Sequence, residues 1–161
     1  MRGVYTLIIR LPRSCRVSIG KRVSVLVKQG LYLYIGSALG RGSTSLEARI
    51  RRHLARDKGR FWHIDRILAC ESARVVSVVF AETTSKAECK VNAALLEYPN
   101  IRVFFRGIGS SDCRCRSHFL VAEASLRSLQ QKVRSCYTEL GLRPHVLKDL
   151  KFGESDSISI P

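Results

Sequence analysis

The sequence predicts a small α/β (α+β) domain in which an antiparallel-rich central sheet is flanked by helices. Three observations lead there. Apolar, β-branched runs recur at Val4–Leu11, Leu31–Ile35 and Val75–Phe80, the composition of half- or fully buried strands. Two other stretches repeat their apolar residues at helical spacing: Leu46, Ile50 and Leu54, then Ala87, Val91, Ala94, Leu95 and Tyr98. Gly and Pro punctuate the junctions between them.

Taken in order, Val4–Leu11 is the first strand, ended by Pro12. Val17–Ile19, a Gly20-Lys21 turn and Val23–Val27 read as a hairpin insertion. Gln29-Gly30 turns into a strand with Leu31, Leu33 and Ile35 on one face and Tyr32 and Tyr34 on the other. Gly36, Gly40 and Gly42 are expected to break it, and Ser43, Thr44 and Ser45 can cap the helix that follows. Asp57–Arg60 is a polar break, and Trp62–Cys70 a short helix with Ile64, Ile67 and Leu68 inward. Val75–Phe80 is a buried strand and Ser85–Tyr98 a helix stopped by Pro99. Arg102–Arg106 and His118–Glu123 read as strands, and Ser125–Leu140 as a helix closed by Gly141. Beyond Pro144 lies a basic segment, then from Gly153 a Ser/Asp/Gly tail expected to be mobile. The expected organisation is a domain over 1–124 and a C-terminal helix and tail over 125–161.

The charge narrows the function. Against 13 Asp+Glu stand 28 Lys+Arg, a net charge of +15, and 20 of the 28 are Arg. Guanidinium pairs bidentately with phosphate, so this excess points to a nucleic-acid surface. The alternative is a solvated basic exterior. No apolar run approaches the roughly 18 residues that a membrane span needs, so no membrane partner is expected. The first apolar run is interrupted by Thr6 and Arg10, unlike a secretory signal. The chain is therefore read as cytoplasmic, its six Cys reduced.

One stretch concentrates the chemistry. A tyrosine near the strand end (Tyr34) is followed by Leu46-Glu-Ala-Arg-Ile-Arg-Arg-His53, where Arg49 and His53 are four apart and lie along one edge of the apolar stripe. Gly3-Val4-Tyr5 and Tyr34-Ile35-Gly36 resemble the two half-motifs of the GIY-YIG nucleases, and the Arg-x-x-x-His pair resembles the helix that follows them. Phe61–Asp65 and Gly109–His118 are similar to the Uri-type branch. The resemblance covers about residues 3–123. It departs from the pattern in one respect: 28 residues separate Tyr5 from Tyr34, where the family's half-motifs lie close together.

The resemblance implies Mg²⁺ (or Mn²⁺) held by Glu88, on the helix after the third core strand. It implies Tyr5 as the base or proton relay for an attacking water and Tyr34 as its orienter, with Tyr32 as the substitute if the register slips. Arg49 would stabilise the transition state, and His53 would bond the phosphate or Tyr34. Gly3 and Gly36 are the motif glycines. Each residue also has an ordinary reading. Tyr5 and Tyr34 are core aromatics, His53 a lone helical histidine, and Arg49 a packed stem with its head in solvent. Ser85-Lys-Ala-Glu88 is also a capping box, with Glu88 reaching back to the helix start.

Arg41, Arg51, Arg52, Arg56, Lys58 and Arg60 are assigned to the phosphate backbone, and His63 to a substrate contact; Trp62 reads as packing. Asp112 could add a carboxylate beside the Gly107–Ser111 turn, whose amides could face a phosphate. Cys113, Cys115 and His118, with Cys89 or His63, could supply zinc ligands. The spacing argues against zinc: only one residue separates the cysteines, and on a strand His118 would face the other way. A disulfide at Cys113 or Cys115, or buried thiols, are the other readings.

The expectation is a divalent-metal-dependent DNA endonuclease, structure-specific and linked to DNA repair or processing, with a homodimer or protein partner supplying specificity. The alternative is a non-catalytic DNA- or RNA-binding module of the same fold.

Overall fold

In the computed structural model, residues 1–56, 59–148, 150 and 160 are described. Lys58 and the tail from Gly153 to Ser159 lie outside them.

The sheet is built around the most apolar strand. β1 (Gly3–Leu11) is buried at every position but Arg10, which only a strand covered on both faces can be. It pairs antiparallel with β4 (Gly30–Ala38) on one side and β5 (Arg74–Glu82) on the other. Outside these lie β7 (Phe119–Ala122) and β6 (Ile101–Val103) beyond β4, and β8 (His145–Lys148) beyond β5. All five pairings are antiparallel. β2 (Cys15–Ile19) and β3 (Val23–Val27) form a separate two-stranded hairpin.

Helices cover both faces. Tyr5, Leu7, Ile9, Tyr32 and Tyr34 meet α1 (Leu46–Leu54), α2 (His63–Leu68) and the hairpin on one face. Val4, Ile8, Leu31, Leu33 and Ile35 meet α3 (Glu88–Leu96) and α4 (Leu126–Glu139) on the other. The alternation of Leu31–Ile35 thus sorts its side chains as the period of two requires. In α1 the expected stripe of Leu46, Ile50 and Leu54 is buried, each contributing about 1.5–3 kcal/mol. Of the three hydroxyl residues before it, Ser45 is the cap, accepting from the Ala48 N–H at 3.3 Å. On α4 the fully buried Tyr137 meets Thr6 of β1 at 3.0 Å and donates to the Val79 carbonyl of β5 at 3.3 Å. Gly141, at φ +76°, closes that helix: its N–H donates to Thr138 and that of Leu142 to Tyr137.

Four expectations are corrected. Gly36 does not break β4, which runs on to Ala38 with Gly36 paired opposite Tyr5. The basic segment after Pro144 contains β8, a short strand held by ladder bonds to Ser77–Phe80, with Val146 and Leu147 partly buried against the core on opposite faces. The strand expected over Arg102–Arg106 is β6 at Ile101–Val103, so residues 104–106 are not strand. The cysteines are not all reduced: Cys15 of the hairpin is disulfide-bonded to Cys70 after α2, across a separation of 55 residues.

Among the described residues, no helix is long and apolar enough to cross a membrane.

Closing a loop of that length removes about 4 kcal/mol of unfolded-state entropy in the chain model. The Cys15→Ser/Cys70→Ser double variant should therefore lose about 2–4 kcal/mol in urea unfolding. An unchanged midpoint would mean that the hairpin is held by packing alone.

Candidate functional site

Register decides which tyrosines meet. Tyr5 lies opposite Gly36 and Leu7 opposite Tyr34, so the two tyrosines sit diagonally on one face with ring centroids 6.5 Å apart. The 28 intervening residues are absorbed by the β2–β3 hairpin without disturbing this pairing. Tyr32, two positions away, belongs to a different cluster. It stacks on Phe119, meets Phe104 edge-on and donates its hydroxyl to the Lys28 carbonyl.

The motif glycines have a steric reason. A Cβ on Gly36 would stand 2.5 Å from both Cζ and the hydroxyl oxygen of Tyr5, so the Tyr5 ring occupies the space where a side chain would be. A Cβ on Gly3 would lie 2.2 Å from the Ala81 carbonyl oxygen of the adjacent strand.

α1 brings its polar edge over this corner. The His53 Nε2 and the Tyr5 hydroxyl are 2.8 Å apart, and the His53 ring lies 5.4, 5.8 and 5.9 Å from those of Tyr5, Tyr34 and Trp62. His53 is fully buried, deeper than the half-buried edge the helical spacing predicts. The Arg49 guanidinium lies 5.3 Å over the Trp62 ring and its charge acts on Tyr5, so it is not a head in open solvent. Burial pushes the Tyr5 phenol well above its ordinary range; the Tyr34 charge adds to the rise, and Arg49 opposes it. Burial likewise pushes Tyr34 up to about 12, against the pull of Arg49. Both phenols are therefore protonated at neutral pH.

A support the sequence did not reveal stands behind this corner. Asp65, buried on α2, accepts from Arg52 at 2.8 Å and from the Phe61 and Trp62 N–H groups at 3.1 and 2.9 Å. Arg52 also donates to the Gly59 carbonyl at 3.1 Å and lies 4.5 Å over Trp62. This corrects the expectation that Arg52 faces a phosphate backbone: its charge is committed to a buried carboxylate. Trp62 packs as expected, but against the site itself. The signal for Asp65 was its place in the first turn of a helix, where a carboxylate reaches back to free N–H groups.

Glu88 arrives from the other face. It is the first residue of α3, and the capping box does not form: the N-cap is Ala87 with no side-chain bond, and the Ser85 and Thr83 hydroxyls bond each other at 3.0 Å. The carboxylate is buried, and among the described residues its Oε2 has no hydrogen-bond partner. A buried carboxylate oxygen left so is costly unless a cation or water satisfies it. Its charge acts on His118, and a Cβ on Gly109 would sit 3.1 Å from the His118 Cβ and 2.8 Å from the Tyr34 ring. Gly109 thus packs between His118 and Tyr34, while Glu88 reaches His118 through its charge.

The remaining candidates lie at the surface. Arg41, Arg51, Arg56, Arg60 and His63 are exposed. Asp112 is exposed and pairs with Lys86 at 3.7 Å. In the Gly107–Ser111 turn, the Gly107 N–H is already committed to the Arg116 carbonyl at 2.8 Å. Cys113, Cys115 and His118, held off a strand by the bends between them, gather with Cys89.

Gly36→Ala should destabilise the fold by about 1–3 kcal/mol through overpacking against Tyr5. Gly59→Ala, with open space around its Cα, should change the urea midpoint little. Equal midpoints for the two variants would mean that the Tyr5 ring moves aside freely.

No curated protein and no solved structure matches the chain. A family model described as a domain of unknown function, DUF123, matches residues 4–142, which takes in Tyr5, Tyr34, α1, Glu88, the cysteine cluster and α4. The chain belongs to the DUF123 family.

Proposed function

We propose that this protein is a divalent-metal-dependent DNA endonuclease that hydrolyses phosphodiester bonds in the cytoplasm, on structured DNA in repair or processing. The observation that carries the reading is the convergence of Tyr5, Tyr34, Arg49 and His53 on one corner of the sheet; a buried carboxylate oxygen of Glu88, without a hydrogen-bond partner among the described residues, stands on the helix of the other face.

The donor set fits a hard cation: magnesium takes one or two carboxylates and fills its octahedron with water and substrate phosphate. Bound at Glu88, Mg²⁺ or Mn²⁺ would supply positive charge to the scissile phosphate and lower the pKa of the attacking water. The chain's own residues carry the proton and the transition-state charge. Tyr5 is protonated, so it serves as a relay: its oxygen takes the water's proton while its own passes to His53 Nε2, 2.8 Å away. Arg49, held over Trp62, presents its guanidinium to the charge developing on the non-bridging oxygens. Tyr34 orients the water or phosphate. Arg41, Arg51, Arg56 and Arg60 hold the phosphate backbone without reading bases, and a second subunit or partner protein supplies specificity.

A second reading rests on one observation. Tyr5 is wholly buried and its phenol is raised, as suits a core residue in a DNA- or RNA-binding module without turnover.

A nicking assay on supercoiled, branched and single-stranded DNA with Mg²⁺ or Mn²⁺ separates the two. Glu88→Gln should abolish cleavage but leave binding intact, and Tyr5→Phe should slow cleavage by about 10²–10⁴-fold. Tight, salt-sensitive binding with no cleavage by the wild type under either metal would sink the nuclease reading in favour of the module.

A further inference from the structure

Cys89, Cys113, Cys115 and His118 come from two parts of the chain that the fold brings together. Cys89 is the second residue of α3, and the other three lie in the irregular run before β7. Their ligand atoms all lie within 4.8 Å of one another. The His118 Nε2 is 3.8 Å from the Cys89 Sγ and 3.6 Å from the Cys113 Sγ. A tetrahedron with Zn–S of about 2.3 Å and Zn–N of about 2.0–2.1 Å has S···N edges of about 3.5–3.6 Å. The separations are those of ligands around a single ion.

We propose that Cys89, Cys113, Cys115 and His118 bind one zinc ion in a closed, structural Cys₃His site.

Three further features favour it. All three thiols are free, whereas Cys15 and Cys70 are joined to each other. The His118 ring is buried with its Nε2 facing two of the sulfurs, and its own carbonyl accepts from the Ile35 N–H at 3.0 Å, which ties the residue to β4. Asn92, one turn along α3 from Cys89, donates to the Ser117 carbonyl at 3.0 Å, so the loop is docked on the helix at a second point beside the cluster. Three thiolates and an imidazole in a tetrahedral array select zinc over magnesium or manganese, which prefer oxygen. The strand geometry that argues against zinc from sequence does not apply, because residues 113–118 turn back on themselves.

The ion would pin the loop from 107 to 118 onto the first turn of α3. That turn carries Glu88, and the loop carries Gly109, which packs on Tyr34. The site is thus a brace beside the candidate catalytic residues, and it stands whether or not those residues cleave DNA.

The full chain, purified under reducing conditions without added metal or chelator, should contain about one zinc per chain by mass spectrometry of the elements. Cys113→Ser and His118→Ala should bring that to near zero, while Cys136→Ser, at a buried thiol on α4 outside the cluster, should keep it. Because a variant can lose zinc by failing to fold, the wild type is also exchanged with Co²⁺. The expected result is the absorption of tetrahedral, thiolate-bound cobalt, removed by one equivalent of zinc. Wild-type protein free of zinc with a featureless cobalt spectrum, iron in zinc's place, or a disulfide between any two of the three cysteines would overturn the proposal.

Discussion

The pairing of β1 with β4 is the constraint on which the rest depends. It places Tyr5 opposite Gly36, and the missing side chain there lets the Tyr5 ring cross the neighbouring strand toward His53. A slip of one residue would send Tyr34 to the face occupied by α3 and α4 and expose Leu33 to the α1 side. The burial of both faces of both strands holds the register. The same alternation that builds the core therefore aims the polar groups.

Around that pairing, the site is supported by buried polar groups. Asp65 fixes Trp62 through its main chain and Arg52 through an ion pair. Trp62 in turn underlies Arg49 and borders His53. Removing one partner from such a network leaves another buried and unbonded, so its members stand together. The disulfide adds a covalent tie behind it, joining the hairpin to the end of α2. A rigid frame of this kind suits a site whose groups must hold their separations within fractions of an ångström.

The candidate residues come from both faces of the sheet, and the two faces supply them differently. α1 supplies Arg49 and His53 along a continuous helical edge. α3 supplies Glu88 only at its first residue, from the far face. The first arrangement is local and self-supporting. The loop from 107 to 118 beside the start of α3 has no helix or strand; main-chain bonds tie its ends together, and it carries three of the four residues of the cysteine cluster.

The sequence by itself determined whatever is periodic. Tyr32 and Tyr34 share a face because a strand alternates, and Leu46, Ile50 and Leu54 line one side because a helix turns every 3.6 residues. The extreme positive charge, the hairpin between the half-motifs and the caps at Ser45 and Gly141 are equally local and were legible. Tertiary structure alone decided the rest. β8 offers only Val146 and Leu147 between polar ends, too short a pattern to read, and its ladder bonds to β5 place it. The Cys15–Cys70 bond joins residues that no spacing relates. Arg52 looks like any solvent-facing cation until Asp65 is seen beneath it. Glu88 fits a capping box in sequence and forms none in space. Cys89 stands 24 residues from the nearest of its partners, and they meet only because an irregular loop folds back on a helix end. Periodicity encodes which face a residue takes; which distant group waits there is set by how the faces close.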